Sequence, residues 1–129
     1  MPEPTSFDYA VIRVVPRVER EEFVNAGVIV FCPERQFLDA RIHVDESRLK
    51  ALWPEIDLEM VRRHLQAFPD ICSADTGAGP IAKLTQRERF HWLVSPRSTI
   101  IQVSPVHCGL SENPDAALEQ LSRQLLYIA

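Results

Sequence analysis

Long apolar runs are missing from this sequence. Its apolar stretches span only a few residues, which is too short for a transmembrane helix. The acidic, proline-rich start, Met1-Pro2-Glu3-Pro4, also lacks the positive and apolar regions of a secretory signal. These absences predict a cytoplasmic protein that does not enter a membrane.

Cysteine is too sparse for a disulfide framework or a paired zinc site. Cys32, Cys72 and Cys108 are odd in number and far apart, so we expect reduced, buried thiols. The histidines show no metal-ligand spacing, and a metal site would need them to converge with Asp39 or Asp45 on folding. The sequence therefore predicts no metal and no cofactor.

Positive charge is also in short supply. The formal net charge is -4 at pH 7, whereas a general nucleic-acid-binding protein needs a positive potential to attract phosphates. Of the 14 basic residues 12 are arginine, which favours fixed, bidentate contacts with anions. A local anion-binding patch is compatible with this composition. RNA binding is the weakest interpretation, because it requires several arginines on one face: Arg13, Arg41, Arg87, Arg89 and Arg97.

The length and composition are those of one domain. The chain has 129 residues, of which 46% are hydrophobic and 25% charged, so it can bury a core without disulfides. We predict a single domain over residues 1–129. Within it we expect a frayed terminus at 1–6 and a mobile loop at 70–80, where small and polar residues separate two halves.

An unbroken apolar run marks the central strand. Val28 to Phe31 has no polar alternate position, as in a strand that is buried on both faces. Before it, Gly27 indicates a bulge or a close backbone approach, and Asn25 is expected to bond to the turn. Further strands are predicted at 9–15, 37–44 and 100–103, and residues 106–110 are expected to be extended or turning. The short links between the first three strands favour an antiparallel meander.

Capping residues mark the starts of four helices. They are Asp45, Asp57, Thr85 with Glu88 in a capping box, and Asn113 followed by Pro114. The second helix is amphipathic and is expected to end at Pro69. We predict an α+β fold, in which an antiparallel sheet of about four strands is covered by helices mainly on one face. The C-terminal helix is expected to pack beside the second helix.

No set of residues carries a reaction mechanism of its own, so we predict no catalytic residues. The most suggestive cluster is Arg97-Ser98-Thr99, where a guanidinium and two hydroxyls at a helix-to-strand junction could bind phosphate or carboxylate. Alternatively, the hydroxyls satisfy the backbone of the turn and Arg97 pairs with a local acid. The candidate ligand-binding residues are Arg13, Arg97, Ser98, Thr99, Gln102 and His107.

Two of these candidates lie within apolar strands. Arg13 could point with Arg41 toward a common anionic ligand, or it could pair with an acid such as Asp39 across the sheet. Gln102 must find hydrogen-bond partners if it is buried, and a ligand is one kind of partner.

His107 and Cys108 do not form a catalytic pair in this sequence. Neighbours in an extended segment point to opposite faces, so His107 is not placed to deprotonate Cys108. We expect Cys108 to be a small buried residue. The helical aromatic residues Phe90 and Trp92 are likewise expected in the core, not on a base-stacking surface.

Two stretches resemble a bacterial family named domain of unknown function 3037. They are Tyr9-Ala10-Val11-Ile12-Arg13 running into Glu22-Phe23-Val24-Asn25-Ala26-Gly27-Val28, and Pro96-Arg97-Ser98-Thr99-Ile100-Ile101-Gln102 followed by Ser104-Pro105-Val106-His107. The resemblance covers nearly the whole chain. It implies a small bacterial protein and, because some members are encoded beside a protein similar to the HipA toxins, a kinase-like partner. No catalytic residues come with it.

We therefore expect a non-enzymatic, protein-binding module that acts through the sheet face holding Arg13 or through the loop at 70–80. The partner is expected to be a protein, kinase-like by the resemblance, or a second copy of the chain; neither a membrane nor a nucleic acid is expected. The alternative function is binding of, or chemistry on, a small anionic ligand at Arg97-Ser98-Thr99.

Overall fold

Five antiparallel strands form one open sheet in the computed structural model of this protein, which describes residues 3–97 and 99–127. The strands are β1 (Thr5–Val14), β2 (Val24–Cys32), β3 (Phe37–Ile42), β4 (Ile101–Val103) and β5 (His107–Ser111). β2 lies between β1 and β3, and the short strands β4 and β5 pair one after the other with the free edge of β1. The predicted α+β fold is confirmed, with one strand more than expected, because residues 107–111 pair with β1.

All four predicted helix starts are confirmed. The helices are α1 (Glu46–Leu52), α2 (Leu58–Cys72), α3 (Gln86–Leu93) and α4 (Pro114–Leu125). Asp45, Asp57 and Asn113 each accept a backbone N–H of the first turn, and Thr85 forms a complete capping box with Glu88. These side chains satisfy N–H groups that have no partner within the helix.

Helices cover both faces of the sheet. On β2, Val28 and Val30 pack against α4, whereas Ile29 and Phe31 belong to the larger core under α1, α2 and α3. A strand with apolar side chains on both faces requires cover on both sides. Three of the four helices lie on one face, as predicted, but the prediction that the last helix packs beside the second is wrong, because α4 covers the opposite face.

The end of α2 also differs from the prediction. The helix continues through Pro69 to Cys72, where Ile71 and Cys72 are buried in the core. Burial of these two side chains favours three further helical residues, even though the proline ring removes one backbone donor.

Two predicted irregular segments contain regular structure. Thr5 and Ser6, expected in a frayed terminus, pair with β5. Residues 70–80 contain the end of α2, a 3-10 helix at Thr76–Ala78 and the start of another at Pro80–Lys83. The mobility of this segment stays a prediction.

A bulge interrupts the pairing of β1 with β2. Ile12 lies opposite Gly27 and Arg13 lies opposite Asn25, so that Ala26 is the extra residue. The bulge predicted at this glycine is confirmed. Because the extra residue belongs to β2, Ile12 and Arg13 retain the ordinary alternation between the two faces of β1.

The same bulge brings two other parts of the chain close to β2. A Cβ atom on Gly27 would lie 2.7 Å from Cδ1 of Ile42 and 3.1 Å from the carbonyl oxygen of Arg41, so only glycine fits without displacement. Asn25 does not bond to the turn as predicted. Its side-chain amide donates to the carbonyl of Leu125 at 3.2 Å, which ties the end of α4 to the sheet.

Ser104 bridges the gap between β4 and β5. Its backbone N–H donates to the carbonyl of Val11, and its buried hydroxyl accepts the Val11 N–H; both distances are 2.8 Å. The same hydroxyl donates to the carbonyl of Pro105. One serine therefore completes the hydrogen bonding of β1 at the point where Pro105 interrupts the neighbouring strand.

Replacing Leu118 by Ala tests whether α4 covers the second face. Leu118 is fully buried against β2, so the variant should lose about 2–5 kcal/mol of unfolding free energy in urea denaturation. Leu110→Ala is the matched control, because this leucine is 74% exposed, and it should change stability by less than about 0.5 kcal/mol. Equal, small effects of the two substitutions would contradict the packing described.

Candidate functional site

The predicted ligand-binding residues do not form one site. Arg13 and Gln102 line a pocket on the α4 side of the sheet, whereas Arg97 and Thr99 line a pocket on the side of α2 and α3. His107 is exposed beside Tyr9, with 5.3 Å between the ring centres. Ser98 lies outside the described residues. Which of these residues bind a ligand stays a prediction.

The Arg13 pocket lies at the C-terminal end of β1 and has a volume of about 200 Å³. It is lined by Arg13, Val15, Val18, Glu21, Phe23 and Gln102. None of these residues belongs to α4, and the neighbouring residue Asn25 holds the end of that helix. The pocket therefore begins where α4 ends.

Arg13 is held by stacking instead of by hydrogen bonds. Its guanidinium carbon lies 4.3 Å from the centre of the Phe23 ring, at cation–π distance. Its Nε is buried and has no hydrogen-bond partner among the described residues. Arg13 also takes part in none of the ion pairs formed by the described residues. The structure thus orients a guanidinium that forms no ion pair with a described residue.

Two of the acids in the segment that follows β1 are engaged elsewhere. Glu19 pairs with Arg17, and Glu22 pairs with Arg20. The hydrogen bond from Arg20 lowers the pKa of Glu22, so this carboxylate stays ionised and bound to its own partner.

A neutral amide and a carboxylate also line the Arg13 pocket. Gln102 lies opposite it on β4 and donates its side-chain amide to the carbonyl of Thr99 at 2.9 Å, which leaves Oε1 to accept a hydrogen bond. Glu21 adds a carboxylate from a left-handed position with φ of 60°. The pocket can therefore offer a cationic donor, a neutral acceptor and one negative charge.

Arg97 and Thr99 make local backbone contacts. The guanidinium of Arg97 donates to the carbonyl of Leu93 at 2.8 Å and to that of Trp92 at 3.2 Å, so it caps the C-terminus of α3. Burial lowers the pKa of Arg97. Thr99 donates its hydroxyl to the carbonyl of Ile101. The Thr99 contact is of the kind that the local interpretation describes, whereas Arg97 binds backbone carbonyls instead of the local acid expected there.

Arg89 has a structural role that sequence reasoning missed. It is buried and donates to the carbonyls of Ile71, Cys72 and Leu84, which joins the end of α2 to the segment before α3. The sequence contains one indication of this burial: Arg89 precedes the apolar Leu93 by four residues, so both lie on the inner face of α3. Because Arg89 is buried and Arg13 and Arg97 line pockets on opposite sides of the sheet, the common arginine face required for RNA binding is not formed.

Cys108 is exposed, so the prediction of a buried thiol is wrong for this residue. Its Sγ donates to Oδ1 of Asp8 at 3.3 Å, and this hydrogen bond, with the negative charge of Asp8, raises the pKa of Cys108. Cys32 and Cys72 are buried as expected, and burial raises the pKa of Cys72. Both shifts favour the thiol over the nucleophilic thiolate.

The two predicted core aromatic residues of α3 differ in position. Phe90 is buried and lies 5.1 Å from the ring centre of Phe31, as expected. Trp92 is 44% exposed, and the prediction that it lies in the core is wrong. Trp92 lies on the outer side of α3, and it lines the same pocket as Arg97 and Thr99.

Within residues 3–97 and 99–127, no group of three or more His, Cys, Asp or Glu side chains is arranged to hold a metal ion. No helix in those residues combines the length and the apolar character needed to cross a membrane.

The fold and the two pockets define a small α+β domain with an open antiparallel sheet. Residues 9–126 match the family model described as Protein of unknown function (DUF3037), so the chain belongs to this family. The resemblance given by its two sequence stretches is thereby confirmed. Neither the curated proteins nor the solved structures contain a match to this chain.

Asp8→Asn tests the control of Cys108 by its neighbour. The substitution removes the negative charge that raises the pKa of this thiol, so the thiolate fraction at pH 8 should rise and iodoacetamide should alkylate Cys108 severalfold faster. Peptide mass spectrometry over time measures the rate. Asp115→Asn is the control and should not alter it. An unchanged rate in Asp8→Asn would show that Asp8 does not set the reactivity.

Proposed function

We propose that this protein is a non-enzymatic binding module that holds a partner protein by one acidic side chain placed in the Arg13 pocket. The observation that carries the proposal is the half-buried guanidinium of Arg13, which is oriented by Phe23 and has no anionic partner among the described residues. From the sequence features above we propose a bacterial, cytoplasmic protein.

Burial makes Arg13 a strong candidate for an external carboxylate. A partly buried charge without a partner is unfavourable, because it has lost part of its hydration. A carboxylate that approaches the planar guanidinium can accept two parallel, charge-assisted hydrogen bonds. Stacking on Phe23 fixes the plane of the guanidinium beforehand, so little side-chain entropy is lost on binding.

The apolar rim of the pocket favours a protein partner. Val18 and Phe23 are 40% and 43% exposed, which leaves apolar surface beside the charge. Interfaces between proteins are enriched in aromatic residues and arginine, and their strongest contacts lie in such small pockets. A volume of about 200 Å³ suits one side chain.

Glu21 favours a partner with a single negative charge at this place. Its carboxylate lines the same pocket as Arg13, so it repels any negative charge that enters, and this repulsion increases with the charge of the ligand. A phosphate cluster or a nucleic acid is therefore disfavoured relative to one glutamate or aspartate. Oε1 of Gln102 is placed to accept an N–H from the same partner.

The chemistry of the pocket favours binding over catalysis. Glu21 is the only residue of its described lining that could act as a general acid or base, and that lining contains neither a hydroxyl nor a thiol that could act as a nucleophile. General acid–base or covalent catalysis needs such groups in mutual contact. The kinase-like protein implied by the family resemblance is the first partner to test.

Arg13→Gln tests the proposal with a small probe of known charge. The acetyl-Leu-Glu-Leu-amide peptide should shift the NMR signals of Phe23 and Gln102 in the wild-type protein. The same peptide with glutamine in place of glutamate should bind about tenfold more weakly, because a hydrogen bond to a charged group contributes about 1.5–3 kcal/mol. Arg13→Gln should remove the preference for glutamate.

Arg41→Gln is the matched control for this experiment. Arg41 lies on β3 on the same face of the sheet but does not line the pocket, so its loss should leave the preference unchanged. Equal binding of the two peptides to the wild-type protein, or an unchanged preference in Arg13→Gln, would refute the proposal.

A photo-crosslinking amino acid at Val18 extends the test to the cell. We expect one partner protein to be captured beside the pocket and to be lost when Arg13→Gln is added, but retained with Arg41→Gln. If the same protein were captured with and without Arg13, its binding would not depend on the Arg13 pocket, and the proposal would be contradicted for that partner.

A further inference from the structure

A second pocket lies on the opposite side of the sheet, between α2, the end of α3 and β4. Its volume is about 370 Å³, which is in the range of small-molecule sites. Its walls are mainly apolar and include Phe68, Trp92, Ile100 and Ile101. We refer to it as the Trp92 pocket.

Two arginines and a histidine border this apolar cavity. Arg63, His64 and Arg97 line the Trp92 pocket, and no acidic residue lines it among the described residues. Arg97 keeps its charge while it caps α3, and Arg63 forms no ion pair within the described chain. The local field therefore favours a ligand with negative charge, in a protein whose total charge is negative.

Trp92 forms one side of the Trp92 pocket and is held there by contacts with Arg97. The guanidinium of Arg97 lies 5.2 Å from its ring and 5.5 Å from that of Phe68, and it also donates to the Trp92 carbonyl. The indole is nevertheless 44% exposed. A rigid, exposed aromatic ring gains free energy when a flat apolar group covers it, and little side-chain entropy is lost in the process.

We infer that the Trp92 pocket binds a small molecule with an apolar, preferably aromatic, body and one carboxylate. The body packs against the exposed part of Trp92 and the apolar lining beside it, and the carboxylate lies toward Arg63. Both hydrogen-bonding nitrogens of Arg97 that the structure describes are engaged with backbone carbonyls, so Arg97 contributes charge and stacking while Arg63 supplies the free donors. This site is independent of the Arg13 pocket.

Three ligands that share one tail isolate the contribution of the charge. They are 4-phenylbutyrate, 4-phenylbutanol and 4-phenylbutylamine, titrated into the full chain while the indole N–H signal of Trp92 is followed by NMR. We expect the carboxylate to bind at least about threefold more tightly than the alcohol, in line with an exposed ion pair, and the amine to bind most weakly. The same affinity for all three would overturn the inference, as would an unperturbed Trp92 signal.

Two substitutions separate the charge from the apolar wall. Arg63→Gln should reduce the affinity for the carboxylate to that for the alcohol and leave the alcohol unchanged; since Arg63 is exposed on α2, this variant keeps the fold. Trp92→Ala should weaken all three ligands by about tenfold. Arg48→Gln, on α1 and away from the pocket, is the control for Arg63.

The outcome is distinguishable from that of the peptide experiment. Arg13→Gln should leave 4-phenylbutyrate binding unchanged, because the two pockets lie on opposite sides of the sheet. A carboxylate preference that survives Arg63→Gln, or one that disappears in Arg13→Gln, would overturn the assignment to the Trp92 pocket.

Discussion

Burial of β2 on both faces is the constraint on which the rest of the structure depends. Its apolar residues alternate between the α4 side and the side of α1, α2 and α3, so the chain must supply cover on both sides. The cover is unequal, because three helices lie on one side and one on the other. α4 has 12 residues and spans about 18 Å, and it ends where Asn25 binds its last turn. The surface beyond that bond stays open, and Arg13 lies there.

β4 separates the two pockets although it has only three residues. Ile101 lines the Trp92 pocket and Gln102 lines the Arg13 pocket, since successive side chains of a strand point to opposite faces. The pairing of Gln102 with Arg13 across the strands places the two polar groups in the same pocket. The hydrogen bonds of Ser104 with Val11 fix this register at the next residue. Two pockets of different chemistry thus depend on the alignment of one short strand.

Local signals predicted the elements of this fold better than their arrangement. The helix starts at Asp45, Asp57, Thr85 and Asn113 follow from contacts within a few residues, and the sequence shows such contacts directly. The position of α4 depends on which sheet face is left uncovered by the other helices, and this is a property of the assembled core.

Whether a candidate residue is available to a ligand likewise depends on contacts that only the folded chain forms. Arg97 was the clearest candidate from its neighbours in sequence, yet its guanidinium is bound to carbonyls of α3. The sequence allows Arg13 to be one half of an ordinary charge pair, but in the folded chain it forms no ion pair with a described residue, although Glu21 lines the same pocket. Polar residue types were visible in the sequence, but the partners that determine their availability were not.

The break at Pro105 determines what this edge of the sheet offers to another strand. β4 and β5 form one edge of the sheet, and an uninterrupted edge would offer a row of backbone donors and acceptors to another chain. Pro105 has no N–H, and the hydroxyl and N–H of Ser104 are turned inward to Val11. An incoming strand therefore meets two short, separated segments, which are poor templates for the continuous ladder that aggregation requires.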